Sequence, residues 1–274
     1  MRTELISIET DTTPLDGAFH WPESGPTRGG VMLFHGNTMN FYVGAPRFLP
    51  PVLTRLGFAC LAFNRRGHDI LSVRNSRAAE GGAFQLTREG IEDNRLAAKW
   101  MAARGFSAPV IIGHSNGGML GVAHTAAHPE TPALVLLSAH RGTSGDLTLR
   151  MQKGLAGDDY AATMEKARRL VAEGRGKELL VVPNWWYVLT AESYVDRFTT
   201  MPDTFELAPK IKCPVLYVRG SLEPKEAYPA EGYQERAGGP CDVAIIEGAD
   251  HFYNGTEDEV CRVVADWLTK HVPA

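Results

Sequence analysis

The segment from Val110 to Gly118, Val-Ile-Ile-Gly-His-Ser-Asn-Gly-Gly, constrains the fold of this 274-residue chain more than any other. A β-branched run leads into it, and a helix-compatible stretch, Met119 to Ala127, follows it. Gly113 and Gly117 stand two residues before and after Ser115, where a strained strand-to-helix turn has no room for side chains. The pattern predicts a strand, a tight turn that exposes the Ser115 hydroxyl, and a helix whose N-terminus favours negative charge.

Two later strand ends carry the residue types that activate a serine. The run Val215 to Arg219 is followed by Glu223, and the run Val243 to Glu247 is followed by His251. A histidine can take the proton of a serine hydroxyl, and a carboxylate can hold that histidine in the required tautomer. We therefore predict a catalytic triad of Ser115, His251 and Glu223.

A second acid, Glu226, competes with Glu223 for the third position of the triad. Glu223 follows the strand directly and precedes Pro224, which fixes the turn. Glu226 is expected at the start of a helix, where its charge suits the helix dipole. These positions favour Glu223.

In this order of serine, acid and histidine, the chain resembles the α/β-hydrolase superfamily along nearly its whole length. Its segment Gly30 to Asn37 is similar to the strand and His-Gly turn of that family, and Phe58 to His68 is similar to the next strand and its Arg-Gly-His turn. The resemblance implies an oxyanion hole made by the backbone N–H groups of Asn37 and Asn116. The usual acid of the family is aspartate, whereas this chain has the longer glutamate.

Several short stretches also resemble, more distantly, a group of the superfamily that includes fungal siderophore esterases. These siderophore esterases hydrolyse ester bonds in hydroxamate iron chelators. The stretches are Asn64 to His68, Gly113 to Gly118, Leu137 to Arg141 and Thr190 to Tyr194.

Alternating strand and helix patterns predict an α/β fold with a mostly parallel central sheet flanked by helices. The first two strands, Glu4 to Glu9 and Gly17 to Trp21, alternate apolar and polar residues as half-exposed antiparallel strands do. Later apolar runs suit strands that are buried on both faces, and they lie at about 30–35, 58–64, 109–113, 133–138, 214–219 and 242–247. Helical spacing of apolar residues predicts helices over Arg88 to Ala103 and Val260 to His271.

The interval 140–210 interrupts this alternation and predicts a helical lid inserted into a core formed by residues 1–139 and 211–274. It contains a charged helical segment, Tyr160 to Glu173, and the aromatic residues Trp185, Trp186 and Tyr187. Ligands of open α/β folds bind at the carboxyl ends of the strands, where such a lid would stand. These aromatic residues and His140 are candidate substrate contacts, although the aromatic rings could equally pack the lid onto the core.

Composition excludes several other classes of partner. The net charge of −4, with 22% charged residues and no basic cluster, gives no indication of nucleic acid or membrane binding. No apolar run approaches the about 18 residues of a membrane span, and no signal peptide precedes the first strand, so we expect a cytoplasmic protein. The four cysteines are scattered without metal-ligand spacing, and no dinucleotide fingerprint is present, so we expect neither metal nor cofactor.

These features predict a serine hydrolase that cleaves an ester, lactone or related acyl bond of a small molecule through an acyl-enzyme intermediate. Two alternatives fit the same residues. One is a non-catalytic protein that binds a small ligand on this fold, and the other is an acyltransferase in which another acceptor replaces water. The sequence leaves the substrate and the oligomeric state open.

Overall fold

The computed structural model describes residues 1–23, 27–73, 79–142, 159–182 and 188–272. The strands within these ranges are β1 (Arg2–Ile8), β2 (Leu15–Trp21), β3 (Gly29–Phe34), β4 (Phe58–Phe63), β5 (Ser72–Val73), β6 (Ala79–Glu80), β7 (Val110–His114), β8 (Leu134–Leu137), β9 (Leu179–Val181), β10 (Val188–Thr190), β11 (Val215–Gly220) and β12 (Cys241–Ile246). The α-helices within them are α1 (Ala45–Phe48), α2 (Pro50–Arg55), α3 (Thr87–Ala102), α4 (Asn116–Ala127), α5 (Tyr160–Ala172), α6 (Ala191–Thr199), α7 (Thr204–Leu207), α8 (Ala230–Gln234) and α9 (Glu257–His271).

Eight strands form the central sheet, in the order β1-β2-β4-β3-β7-β8-β11-β12. Strand β2 runs antiparallel to β1 and β4. All remaining neighbours in the sheet are parallel. The prediction of a mostly parallel sheet opened by an antiparallel pair is confirmed. The carboxyl ends of β3, β7, β8, β11 and β12 consequently meet at one edge of the sheet, which brings their loops together.

Apolar side chains alternate between the two faces of the sheet and build a core on each side. In β3, Val31 and Leu33 join the cluster beneath α2 and α9, whereas Met32 and Phe34 join the cluster beneath α3 and α4. This follows from the two-residue period of a strand when helices cover both faces. Burial of each such side chain stabilises the fold by about 2 kcal/mol.

The expectation of full burial is wrong for the last strand, β12. Its residues are mostly partly exposed, and Ile245 is 43% exposed. The reason is its place at the edge of the sheet, where it pairs only with β11. Strand β1, at the opposite edge, is also largely exposed.

The described part of the interval 140–210 has an apolar cluster of its own. Residues of α5, α6 and the β9–β10 hairpin pack together in it, among them Met164, Leu180 and Tyr194. The segment is joined to the main body where Asp196 accepts hydrogen bonds from the backbone N–H and the hydroxyl of Thr87, at 2.7 and 2.6 Å. The lid role and the domain boundaries stay predictions.

No helix within the described residues is both long enough and apolar enough to cross a membrane.

Candidate active site

Ser115 occupies the predicted turn between β7 and α4, in a strained conformation with φ of 54° and ψ of −118°. The flanking glycines are needed because a Cβ on Gly113 would overlap the Gly117 carbonyl, and a Cβ on Gly117 would overlap the Phe34 carbonyl. The Ser115 N–H donates to the Leu137 carbonyl at 2.8 Å, which ties the turn to β8. The turn thus places Ser115 at the carboxyl edge of the sheet, but Ser115 is only 7% exposed, so the prediction of an exposed hydroxyl is wrong.

The loops after β11 and β12 bring an acid and a histidine to this serine. His251 Nε2 lies 3.1 Å from Ser115 Oγ, and His251 Nδ1 lies 2.7 Å from Glu223 Oε1. A carboxylate only accepts hydrogen bonds, so Nδ1 carries the proton and the Nε2 lone pair faces the serine hydroxyl. This arrangement can remove the serine proton.

Glu223 is buried, and donors surround both of its carboxylate oxygens. Oε2 accepts from the Gly220 N–H at 2.9 Å and from the Ser138 hydroxyl at 2.6 Å, while Oε1 faces His251. These bonds compensate the cost of placing a carboxylate away from water. Glu226 is exposed in a turn that ends before α8 begins at Ala230, so the expectation that it starts a helix is wrong.

The turn after β3 approaches the serine closely. A Cβ added to Gly36 would lie 2.9 Å from His114 Nδ1 and 3.4 Å from Ser115 Cβ. Asn37 is the next residue after Gly36, so its backbone N–H lies in the turn that packs against Ser115. Asn116 is the first residue of α4, and its N–H therefore has no acceptor within that helix. The structure brings both predicted oxyanion residues to the neighbourhood of Ser115.

Arg65 is almost fully buried and connects the turn after β3 to the turn after β7. One Nη of its guanidinium donates to the His35 carbonyl and, at 3.4 Å, to Asn116 Oδ1. The Arg65 N–H donates to His35 Nε2 at 3.1 Å, while His35 Nδ1 donates to the Gly36 carbonyl at 2.8 Å. Burial lowers the pKa of His35 well below its usual value, which keeps the ring neutral for these two bonds.

His114 supports the histidine loop rather than acting on the serine proton. Its Nε2 donates to the His251 carbonyl at 2.8 Å, and the two rings lie 4.9 Å apart. Burial lowers the pKa of His114 to about 3, so the ring is neutral at physiological pH. His114 therefore fixes the position of the loop that carries His251.

The predicted substrate contacts have different positions. His140 lies at the site, with its ring 6.1 Å from that of His251 and its Nδ1 donating to the Ala227 carbonyl at 3.1 Å. Trp185, Trp186 and Tyr187 fall outside the described residues. Contact of these residues with substrate stays a prediction.

Backbone strain is concentrated at this site. Six described residues other than glycine have positive φ, and four of them, Thr38, Ser115, Ser138 and Tyr253, lie at or beside it. Such conformations cost about 1–3 kcal/mol each and are typical of functional sites. Ser138, Tyr253 and Arg65 were not among the predicted site residues. Only Arg65 has a signal in the sequence, because the Arg65-Arg66 pair stands at the end of an apolar strand, where a charge must find a partner.

An open groove of about 720 Å³ lies between the turn after β3 and the loop that carries His251. Thr38 and Met39 line it from the β3 side, and Phe252 and Asn254 line it from the histidine loop. The Phe252 ring stands edge-on to His251, with centroids 5.1 Å apart. Within the described ranges, no group of three or more His, Cys, Asp or Glu side chains could hold a metal ion.

Comparison with known proteins places residues 31–263 in a match to the family model described as "Alpha/beta hydrolase family". No curated protein sequence matches the chain. Among solved structures, Est1E from Butyrivibrio proteoclasticus with bound ferulic acid is similar at 17% identity and a TM-score of 0.73, with 98% of this chain and 100% of that chain covered.

Two further structures have the same fold. A soluble variant of monoglyceride lipase from Saccharomyces cerevisiae, in complex with a substrate analog, has 15% identity, a TM-score of 0.72 and coverage of 100% of this chain and 97% of that chain. A thermostable carboxyl esterase from Bacillus coagulans, in complex with glycerol, has 14% identity, a TM-score of 0.72 and coverage of 99% of both chains. At these identities the likeness concerns the fold.

Proposed function

Because the chain belongs to the alpha/beta hydrolase family, we propose that it is a serine hydrolase that cleaves an ester or lactone bond of a small molecule. The observation that carries this proposal is the alignment of Ser115 Oγ, His251 and Glu223 at 3.1 and 2.7 Å. Two proteins of similar structure, a monoglyceride lipase and a carboxyl esterase, support ester substrates.

In the first half-reaction, Ser115 Oγ attacks the ester carbonyl carbon while its proton moves to His251 Nε2. The negative charge that develops on the carbonyl oxygen is stabilised by the N–H groups of Asn37 and Asn116, each worth on the order of 3 kcal/mol. Nε2–H then protonates the leaving oxygen as the carbon–oxygen bond breaks. The products are an alcohol and an acyl group on Ser115.

In the second half-reaction, water takes the place of the alcohol. His251 Nε2 accepts a proton from water as the water oxygen bonds to the acyl carbon. It then donates this proton to Ser115 Oγ as the bond between Oγ and the acyl carbon breaks, which releases the acid. Throughout both steps the Glu223 carboxylate accepts the Nδ1–H of His251 and stabilises the imidazolium.

The groove beside His251 is the place we assign to the leaving alcohol. A general acid must stand within hydrogen-bond reach of the atom that it protonates. Phe252 and Asn254 follow His251 in the chain and line this groove, which supports placing the leaving alcohol there. Its volume falls within the range of about 300–1,000 Å³ that is typical of small-molecule sites.

A fluorophosphonate probe and a panel of p-nitrophenyl esters test the proposal. We expect covalent labelling at Ser115 and turnover of a short-chain ester. Ser115→Ala should abolish labelling, and His251→Ala should lower kcat by about 10⁴-fold or more, because triad members act as a unit. Ser221→Ala is the matched control, since the one hydrogen bond of the Ser221 hydroxyl to a described residue is the one that it accepts from the Gly248 N–H at 2.9 Å.

Wild-type protein without labelling or turnover on the whole panel would refute the proposal and favour a ligand-binding protein. Adding butanol to the reaction separates hydrolysis from acyl transfer. Formation of butyl ester faster than free acid would identify an acyltransferase.

A further inference from the structure

Two buried hydroxyl groups lie against the proposed triad acid without a part in the mechanism above. Ser138 follows β8 and Tyr253 lies in the loop that carries His251, and both residues are almost fully buried. Ser138 Oγ is 2.6 Å from Glu223 Oε2 and 2.6 Å from Tyr253 Oη. The three groups therefore form a continuous hydrogen-bonded chain that ends at the carboxylate.

The direction of each hydrogen bond follows from the donors that are present. The carboxylate has no proton to give, so Ser138 Oγ–H donates to Glu223 Oε2. Ser138 has then used its only proton, and Tyr253 Oη–H donates to Ser138 Oγ. Burial, as the main cause, raises the pKa of the Tyr253 phenol well above its usual value, so the phenol keeps this proton.

The length of glutamate explains why such support is needed. Glu223 has one more rotatable bond than the aspartate usual in the family, so its carboxylate must be held at more points to face His251. Its backbone N–H donates to the Gly220 carbonyl at 3.1 Å, while the Gly220 N–H donates back to Oε2 at 2.9 Å. Ser138 supplies the side-chain donor for the same oxygen, and Oε1 is left for His251 Nδ1.

Ser138 and Tyr253 are also held in costly conformations. Their φ angles are 48° and 62°, in the left-handed region that residues other than glycine seldom adopt. The Ser138 N–H donates to the Val218 carbonyl at 2.8 Å, and Tyr253 Oη lies 3.3 Å from the same oxygen. Strand β11 thus fixes both residues relative to the loop that carries Glu223.

We propose that Ser138 and Tyr253 are positioning residues, a relay that orients the Glu223 carboxylate toward His251. This inference rests on the proposed function. It assigns no proton transfer to either residue; both act through Glu223. Ser138 acts directly, and Tyr253 acts only through Ser138.

The test compares Ser138→Ala, Ser138→Gly, Tyr253→Phe and the double variant Ser138→Ala/Tyr253→Phe. Glycine adopts the positive φ of position 138 without strain, so Ser138→Gly keeps the test valid if alanine disturbs folding. Tyr233→Phe is the matched control for the phenol, because Tyr233 is buried and its hydroxyl has no partner among the described residues. Ser221→Ala is the control for the serine.

We expect Ser138→Ala and Ser138→Gly to lower kcat by about 10- to 100-fold, the range for a hydrogen bond to a charged group, with KM changed less than about twofold. Tyr253→Phe should lower kcat by about three- to tenfold. The double variant should be no slower than Ser138→Ala, since the phenol acts through the serine. Both controls should stay within about twofold of wild type.

A second readout is independent of turnover. The His251 Nδ1 proton gives a downfield NMR resonance when it is bonded to a carboxylate, and Glu223→Gln identifies that resonance by its loss. We expect it to move or broaden in the Ser138 variants and to stay unchanged in Tyr233→Phe. An unchanged resonance with near-normal kcat in both Ser138 variants would overturn the relay, and so would independent, multiplicative losses in the double variant.

The resonance can be measured in a protein that hydrolyses no ester. A wild-type protein with neither probe labelling nor turnover would refute the proposed function, whereas the NMR comparison would still decide whether Ser138 and Tyr253 orient Glu223.

Discussion

Replacing Glu223 by glutamine would remove the charge of the proposed acid and keep its shape. In the wild-type protein Oε1 faces His251 Nδ1 at 2.7 Å, and Oε2 accepts from the Gly220 N–H at 2.9 Å. A glutamine presents one oxygen and one amino group to these two positions. Whichever way the amide turns, its amino group therefore meets a donor.

Both orientations of the amide impair the site. With the oxygen toward His251, the amino group confronts the Gly220 N–H. With the amino group toward His251, the ring must take the tautomer protonated on Nε2, which cannot accept the Ser115 proton. The first orientation weakens the acid loop, and the second stops the first proton transfer.

The size of the loss in kcat follows from the lost charge of the carboxylate. A carboxylate and an imidazolium with charge centres about 4 Å apart attract each other by about 4 kcal/mol at an effective dielectric constant of about 20. That value suits this pair, because the Glu223 side chain is 3% exposed and that of His251 is 24% exposed. The corresponding loss in kcat is about 10³-fold, and the wrong tautomer raises it toward about 10⁴-fold.

The assay measures kcat on p-nitrophenyl acetate for Glu223→Gln and for Glu226→Gln, with circular dichroism to verify folding. Glu226 is exposed in its turn and serves as the matched control, expected within about twofold of wild type because surface changes cost little. The reasoning would be refuted if Glu223→Gln kept more than a tenth of wild-type kcat, or if Glu226→Gln alone were strongly impaired.

Three further predictions test the scaffold of the site. Gly117→Ala should lower the free energy of unfolding by about 3 kcal/mol, since its Cβ would overlap the Phe34 carbonyl; urea denaturation with wild-type stability would contradict this. Arg65→Met should lower kcat by about tenfold or more with little change in KM, because the guanidinium joins the two turns that carry the proposed oxyanion hole; steady-state kinetics showing a pure KM effect would argue against that role. Burial lowers the pKa of His124 to about 4, so the unfolded chain binds this proton more readily and the free energy of unfolding should fall by about 3 kcal/mol between about pH 6.5 and 4. His124→Leu should flatten that dependence in urea titrations, and an equally steep curve would exclude His124 as its cause.

The central strands could be predicted from the sequence because their residues obey local rules. The apolar run predicted at about 58–64 is strand Phe58–Phe63, and the run predicted at about 109–113 is Val110–His114. Burial on both faces demands continuous apolar residues, and that demand is visible in one dimension. The same rule wrongly predicted full burial of the last strand. Its Val243 and Ile245 are apolar, but the strand lies at an edge of the sheet.

In the candidate site, too, some residues follow local rules and others do not. Gly-x-Ser-x-Gly is a local pattern with a steric cause, so the serine turn could be located from the sequence. The choice between Glu223 and Glu226 depended on where a loop turns, and the two residues between them give only a weak local signal.

What the sequence by itself determined is the set of parallel strands, the strained serine turn and the order of serine, acid and histidine, because each follows from the spacing of neighbouring residues. Only the tertiary structure decided which hydroxyls face the acid: Ser138 lies 85 residues from Glu223 and 115 from Tyr253 along the chain. It also decided that Arg65 joins two turns, through an Asn116 that is 51 residues away. Serine, tyrosine and arginine occur in many surroundings, so their types alone indicate no partner. Their partners exist only after the strands pair side by side, and that pairing brings distant strand ends to a common edge.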